Sequence, residues 1–157
     1  MNAQQTGVTD PIELAFTVAC TPAHAFGVWA TRTAMWWPSS HTRSGDPATV
    51  VTFEPGEGGR IYERTPAGVQ HDWGRILAWE PPGRLVYLWH LDATDPTDAT
   101  EVTVTFTPAE GGATLVTIVH QGWERLATDG RERRRRNLGG WAGLLSHYRR
   151  ATVELAQ

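Results

Sequence analysis

The chain has 157 residues, a formal net charge of −3 and one cysteine, Cys20. That length suits a single domain with one core spanning residues 1–157, the mild acidity argues against a dedicated nucleic-acid binder, and a lone cysteine allows no internal disulfide. No basic region followed by an apolar run opens the sequence, and no segment approaches the ~20 apolar residues of a membrane span, so neither a signal peptide nor a membrane partner is expected and the cytoplasm is the expected location.

Residues 1–9 are polar. Ile12, Leu14, Phe16, Val18 and Cys20 alternate with Glu13, Ala15, Thr17 and Ala19, which predicts a first strand with one apolar face. Thr21-Pro22 ends it, and the threonine can cap a helix that has proline at its first position. That helix covers Ala23 to Arg32, with Phe26, Trp29 and Ala30 on one side. Ala34 to Pro38 gives a further helical turn, stopped by the proline, and Ser39 to Pro47 is a polar loop.

Six strands follow. Thr49–Glu54 and Gly59–Thr65 flank the turn-forming Pro55-Gly56-Glu57-Gly58, and His71–Glu80 and Arg84–Leu91 flank Pro81-Pro82-Gly83. Asp92 to Ala99 reads as an exposed loop. Glu101–Thr107 alternates cleanly, and Ala109 to Gly112 turns the chain into Ala113–Gln121. From Arg131 to Gln157 the period changes. Leu138, Trp141, Leu145, Tyr148, Thr152 and Leu155 recur at helical steps, and Asp129 with Glu132 offers a capping-box start. Such a stripe must lie on something. Hairpin-linked strands with one covered face, plus one long helix, predict a two-layer α+β fold.

The order strand, two short helices, six strands, long helix is that of the helix-grip fold, and local patterns sharpen the match. They are Thr21-Pro22-Ala23-His24-Ala25-Phe26 with Trp29, Trp36-Trp37-Pro38, Gly58-Gly59-Arg60, Gly74-Arg75-Ile76, Pro81-Pro82, Arg84 to Trp89 and Gly140-Trp141. The chain resembles the START/polyketide-cyclase/birch-pollen-allergen superfamily, in its heat-shock-protein ATPase activator-like branch. The resemblance implies a curved sheet of about seven strands gripping the helix, with a cavity between them. It also implies mixed activities: stimulation of a heat-shock ATPase, binding of hydrophobic small molecules, or cyclase- and hydrolase-type catalysis. The enediyne self-sacrifice resistance proteins of the calicheamicin kind are similar in size and in their Arg-rich, Lys-poor style. All 14 basic residues here are arginine, a bias that a G+C-rich genome also produces.

Eight tryptophans are several times the ordinary share; some serve the core and some suit a pocket for an aromatic ligand. The expected ligand-binding set is Trp36, Trp37, Tyr87, Trp89, Phe106, Trp141, Leu145 and Tyr148. Adjacent Trp36 and Trp37 cannot both enter the core, so one is expected at the cavity rim. No histidine pair has metal-helix spacing and no cysteine partners one, so no metal or other cofactor is expected. His90 and His120 lie out of phase with Trp89 and Val119, which leaves each able to face solvent. No Ser-His-Asp, Cys-His or paired-carboxylate arrangement stands out, which favours binding over turnover.

The run Arg131 and Arg133 to Arg136 reads as a solvated helix start with a Glu132–Arg136 pair, the alternative being a site for an anionic partner such as nucleic acid or an acidic ligand group. Under the self-sacrifice resemblance, glycines beside the cavity would supply a backbone hydrogen. The candidates are Gly74, Gly122, Gly139, Gly140 and Gly143, with Gly139 and Gly143 placed away from the apolar stripe. The sequence therefore predicts a helix-grip domain, expected as a monomer, that binds a large hydrophobic or aromatic small molecule. Its favoured role is self-resistance by sequestering an enediyne and being cleaved by it. A co-chaperone-like module or a cyclase-type enzyme are the alternatives.

Overall fold

A computed structural model describes residues 9–90, 98–126 and 129–157; the expected 92–99 loop falls largely outside them. The elements in chain order are β1 (Ile12–Val18), α1 (Pro22–Ala30), two single 3-10 turns (Thr33–Met35 and Ser39–His41), and β2 (Val50–Phe53). They continue with β3 (Arg60–Arg64), β4 (Gln70–Glu80), β5 (Arg84–Trp89), β6 (Thr100–Pro108), β7 (Thr114–Gln121) and α2 (Gly130–Glu154). A further 3-10 turn, Trp123–Arg125, leads from β7 toward α2. The strands form one antiparallel sheet in the order β1-β7-β6-β5-β4-β3-β2. Among these pairings, β1–β7 alone joins strands that are not consecutive in the chain, and it brings Ile12 opposite His120.

The local chemistry explains most boundaries. The Thr21 hydroxyl accepts from the His24 backbone N–H at 3.2 Å, and Pro22 at the first helical position gives up no hydrogen bond there. The pairing with β3 shifts register where Ile61 faces Gly74 and Tyr62 faces Asp72, so Trp73 is the extra residue of a bulge in β4. A Cβ at Gly74 would stand 1.8 Å from the Leu88 carbonyl oxygen, so the glycine is a packing requirement of the sheet.

Three expectations for α2 need correction. Asp129 does not cap it: its backbone is left-handed, with φ 57°, and its side chain makes no capping bond. Glu132 pairs with Arg135 rather than with Arg136, one step closer on the helix surface. The buried stripe is centred on Trp141, Leu144, Tyr148, Ala151 and Thr152, while Leu138 is 42% exposed and Leu145 only half-buried. At about 100° per residue, Leu138 and Leu145 fall on one flank of that stripe.

The core between sheet, α1 and the second half of α2 is aromatic and closed. Trp29, with 0% exposure, lies 4.8 Å from Tyr148 and 5.7 Å from Trp36 by ring centroid. The Tyr148 hydroxyl donates to the Ala25 carbonyl at 2.8 Å, and Trp36 Nε1 donates to the Val28 carbonyl at 2.6 Å. These buried polar tips are thus satisfied, and the helix is fixed along its second half.

Candidate functional site

Sheet and helix part company along the first half of α2. A cavity of about 310 Å³ opens there, at the small end of the about 300–1,000 Å³ common for small-molecule sites. One wall is α2, through Arg133, Arg136, Asn137, Gly140, Trp141 and Leu144. The opposite wall is the segment after α1, which we call the strap: Trp37, Ser40, His41, Thr42 and Arg43. Trp89 at the end of β5, Thr100 at the start of β6 and Trp123 complete the lining.

Trp37 is held by its neighbours. Its ring lies 5.2 Å from Trp73 and 6.0 Å from Trp89, and its Nε1 donates to the His41 carbonyl at 3.0 Å. His41 crosses to the other wall, where Nε2 donates to the Gly140 carbonyl at 3.1 Å. Its Nδ1, 3.1 Å from the Ser40 hydroxyl, is then the acceptor. Gly143 leaves room for that crossing, since a Cβ there would meet the His41 ring at 3.3 Å.

Below the cavity lies a buried polar chain. His120 has 0% exposure, which corrects the expectation that it could face solvent. It shares its strand phase with Val116 and Ile118, both buried. Trp141 Nε1 donates to His120 Nδ1 at 3.1 Å, so the imidazole proton sits on Nε2 and is given to the Thr100 hydroxyl at 2.6 Å. Thr100 in turn donates to the Trp89 carbonyl at 3.3 Å. Three lining residues are therefore positioned by one neutral histidine. Burial, and then the charge of Arg133, push its pKa down to about 3.

The strap is held from beneath by Glu63, a carboxylate with 0% exposure. It accepts from the backbone N–H of Arg43 at 2.6 Å, from that of Ser44 at 3.0 Å and from Trp73 Nε1 at 2.9 Å. Burial works to raise the pKa of this group, but the three donated bonds prevail and hold it below the usual carboxylate range.

Of the expected ligand-binding residues, Trp37, Trp89 and Trp141 line the cavity. Tyr87, Phe106, Tyr148 and Trp36 are buried in the packed core, and Leu145 is half-buried outside the lining. Of the five glycines, Gly140 lines the cavity. Gly74 and Gly122 are buried in the sheet and at its end, Gly139 faces open space, and Gly143 packs against His41. Sequence reasoning missed Leu144, although it completes the helical spacing between Trp141 and Tyr148. It also missed Glu63, whose signal was its strand phase: a carboxylate two places from Ile61 on the inner face. Nothing local marked Thr100 or Asn137. Among the described residues, no three His, Cys, Asp or Glu side chains gather as metal ligands, and no helix is long and apolar enough to cross a membrane.

A curved antiparallel sheet wrapped on a C-terminal helix, with a pocket of ligand size beside it, defines a helix-grip protein. The chain belongs to the family described as activator of Hsp90 ATPase homolog 1-like protein, which matches residues 13–148. No curated protein sequence matches it. Among solved structures, it is similar to the anthrahydroquino-γ-pyrone synthase Txn09. Identity is 35%, over 79% of this chain and 83% of that one, with a TM-score of 0.58. It is also similar to CalC, a self-sacrificing resistance protein from Micromonospora echinospora, with 28% identity, 94% and 97% coverage and a TM-score of 0.70. A Mesorhizobium loti protein at 19% identity, covering 94% and 99% with a TM-score of 0.66, shares the fold.

Proposed function

We propose that this protein binds a planar, polycyclic aromatic small molecule between the strap and the first half of α2. The observation that carries this reading is the lining itself: Trp37, Trp89, Trp123 and Trp141 face one small cavity. Indole faces suit flat, conjugated rings, at about 0.5–1.5 kcal/mol per aromatic pair beyond area burial. The volume accommodates a fused-ring core, and larger substituents would project through the mouth. Two similar structures, at 35% and 28% identity, are named as an anthrahydroquino-γ-pyrone synthase and a self-sacrificing resistance protein, which fits an aromatic ligand.

Within that reading, the favoured role is self-resistance by sequestration of an enediyne and sacrificial cleavage. Gly140 lines the cavity, and a Cβ there would meet nothing within 4 Å, so the Cα hydrogen at that position is unshielded. A carbon-centred diradical would take that hydrogen, forming its own C–H bond and leaving a stabilised radical on the backbone. Molecular oxygen would add to the radical before the chain breaks. The test is incubation with a reductively activated enediyne in air, followed by mass spectrometry. Fragments ending at Gly140, with DNA spared, are expected; intact protein with DNA cut unhindered would end this role.

A second reading is a ring-closing enzyme, favoured by the 35% identity to the synthase and by His41 in the cavity wall. Conversion of an anthraquinone-type polyketide, with the protein unchanged over many turnovers, would establish it in place of the first.

A further inference from the structure

The cavity is electrically lopsided. Among the described residues its lining contains three arginines, Arg43, Arg133 and Arg136, and no carboxylate, in a protein whose net charge is −3. Arg133 is neutralised by Asp98 at 3.1 Å, in a pair whose side chains are 15% and 19% exposed. Arg43 and Arg136 have no acidic partner among the described residues. They come from opposite walls, one on the strap and one on α2. Arg136 is left over because Glu132 engages Arg135 instead.

Arg43 is also held in place at a cost. Burying the Glu63 carboxylate is unfavourable unless it is fully hydrogen-bonded, and two of its three partners are the backbone N–H groups of Arg43 and its neighbour Ser44. The strap therefore enters the cavity wall at a fixed point, with the Arg43 side chain at the mouth. A side chain on an anchored backbone loses less freedom on pairing than one on a loose loop.

We infer that the ligand is an aromatic acid: its fused rings lie among the indoles and an ionised carboxylate, or a phenolate of like charge, lies between Arg43 and Arg136. This rests on the aromatic-pocket reading and narrows it. A neutral hydrocarbon would leave both guanidiniums idle, and a cationic ring system would be repelled. The arrangement makes Arg43 and Arg136 specificity residues, with Glu63 positioning the first.

The experiment uses a matched pair of probes, an anthraquinone carboxylate and its neutral carboxamide, titrated at low salt against the intrinsic tryptophan fluorescence of the full chain. The carboxylate is expected to bind about tenfold tighter, the scale of two exposed charge contacts. Its advantage should shrink as salt is raised through the Debye range. In the double variant Arg43→Gln/Arg136→Gln, the ratio of the two affinities should fall to about one. Equal binding of the two probes to the natural chain would overturn the inference and leave the aromatic pocket standing. So would an advantage that survives the double substitution. If neither probe quenches the tryptophans, the aromatic pocket itself is wrong and the inference falls with it. Circular dichroism of the double variant separates loss of charge from loss of fold, since both arginines are on the surface.

Discussion

Acid should weaken this fold through His120 before the carboxylates respond. In the folded chain Nδ1 accepts from Trp141, so a second proton would break that bond and place a charge in a fully buried site with Arg133 nearby. Unfolded, the imidazole takes a proton near 6.5; folded, it holds out until about 3. The unfolded state thus binds more protons across that interval, and stability rises with pH within it. The contribution is complete above pH 6.5 and is lost as the pH falls toward 3. At about 1.4 kcal/mol per pH unit, the whole interval is worth about 5 kcal/mol. The part down to pH ~4.5, above the range where Glu63 takes part, is worth about 3 kcal/mol. Against a domain stability of about 5–15 kcal/mol, that is large. Urea unfolding near pH 7 and near pH 4.5, followed by tryptophan fluorescence, measures it. The His120→Gln variant should start less stable but show a much flatter pH response, since glutamine can still accept from Trp141 and donate to Thr100 without titrating. The same loss on acidification in both proteins would refute the reasoning.

Three further outcomes are expected. Gly140→Ala meets nothing with its new methyl group and sits inside α2, so thermal unfolding should show a gain of roughly 0.5–1 kcal/mol. The same variant should be cleaved less by an activated enediyne if Gly140 is the hydrogen donor. Gly74→Ala places its Cβ against a backbone oxygen at 1.8 Å, which can yield only if strands separate; a loss of about 3 kcal/mol or more in urea is expected, and a loss under about 1 kcal/mol would show the sheet to be softer than described. Glu63→Gln leaves at least one of the three donors unmatched, costing about 2–3 kcal/mol. It should also speed tryptic cutting after Arg43, and a cutting rate equal to the natural chain's would mean the strap is held by other contacts. Glu63's own contribution is present above its unfolded pKa of about 4.5 and is lost as pH falls through its lower folded value.

Much of the fold was legible because it is written locally. Strand alternation placed β6 within one residue at each end, and the glycine- and proline-rich turns separated β2 from β3 and β4 from β5. Thr21-Pro22 announced α1, and the cap is made as its chemistry suggests. The start of α2 was misread because Asp129 adopts a left-handed backbone that a capping box does not have. At the next residue a Cβ on Gly130 would stand 2.3 Å from the Trp123 carbonyl oxygen, so the helix start is packed against the preceding 3-10 turn, a contact that local sequence does not announce.

The site divides along the same line. The sequence by itself determined that this chain would wrap a sheet on one amphipathic helix and would have more aromatic surface than a core of its size requires. It did so because strand and helix periods are properties of neighbouring residues. Which aromatics close the core and which stay open was decided only by the tertiary structure. Trp36 and Trp37 are adjacent, yet one is buried under Tyr148 and the other faces the cavity, a choice set by what α2 and Trp73 present to each. His120 and Glu63 show the same dependence. Their neighbours in sequence mark them only as polar residues on an inward phase. Their partners Trp141, Thr100, Arg43 and Ser44 lie 19 or more positions away, and only the folded chain brings those groups within a hydrogen bond.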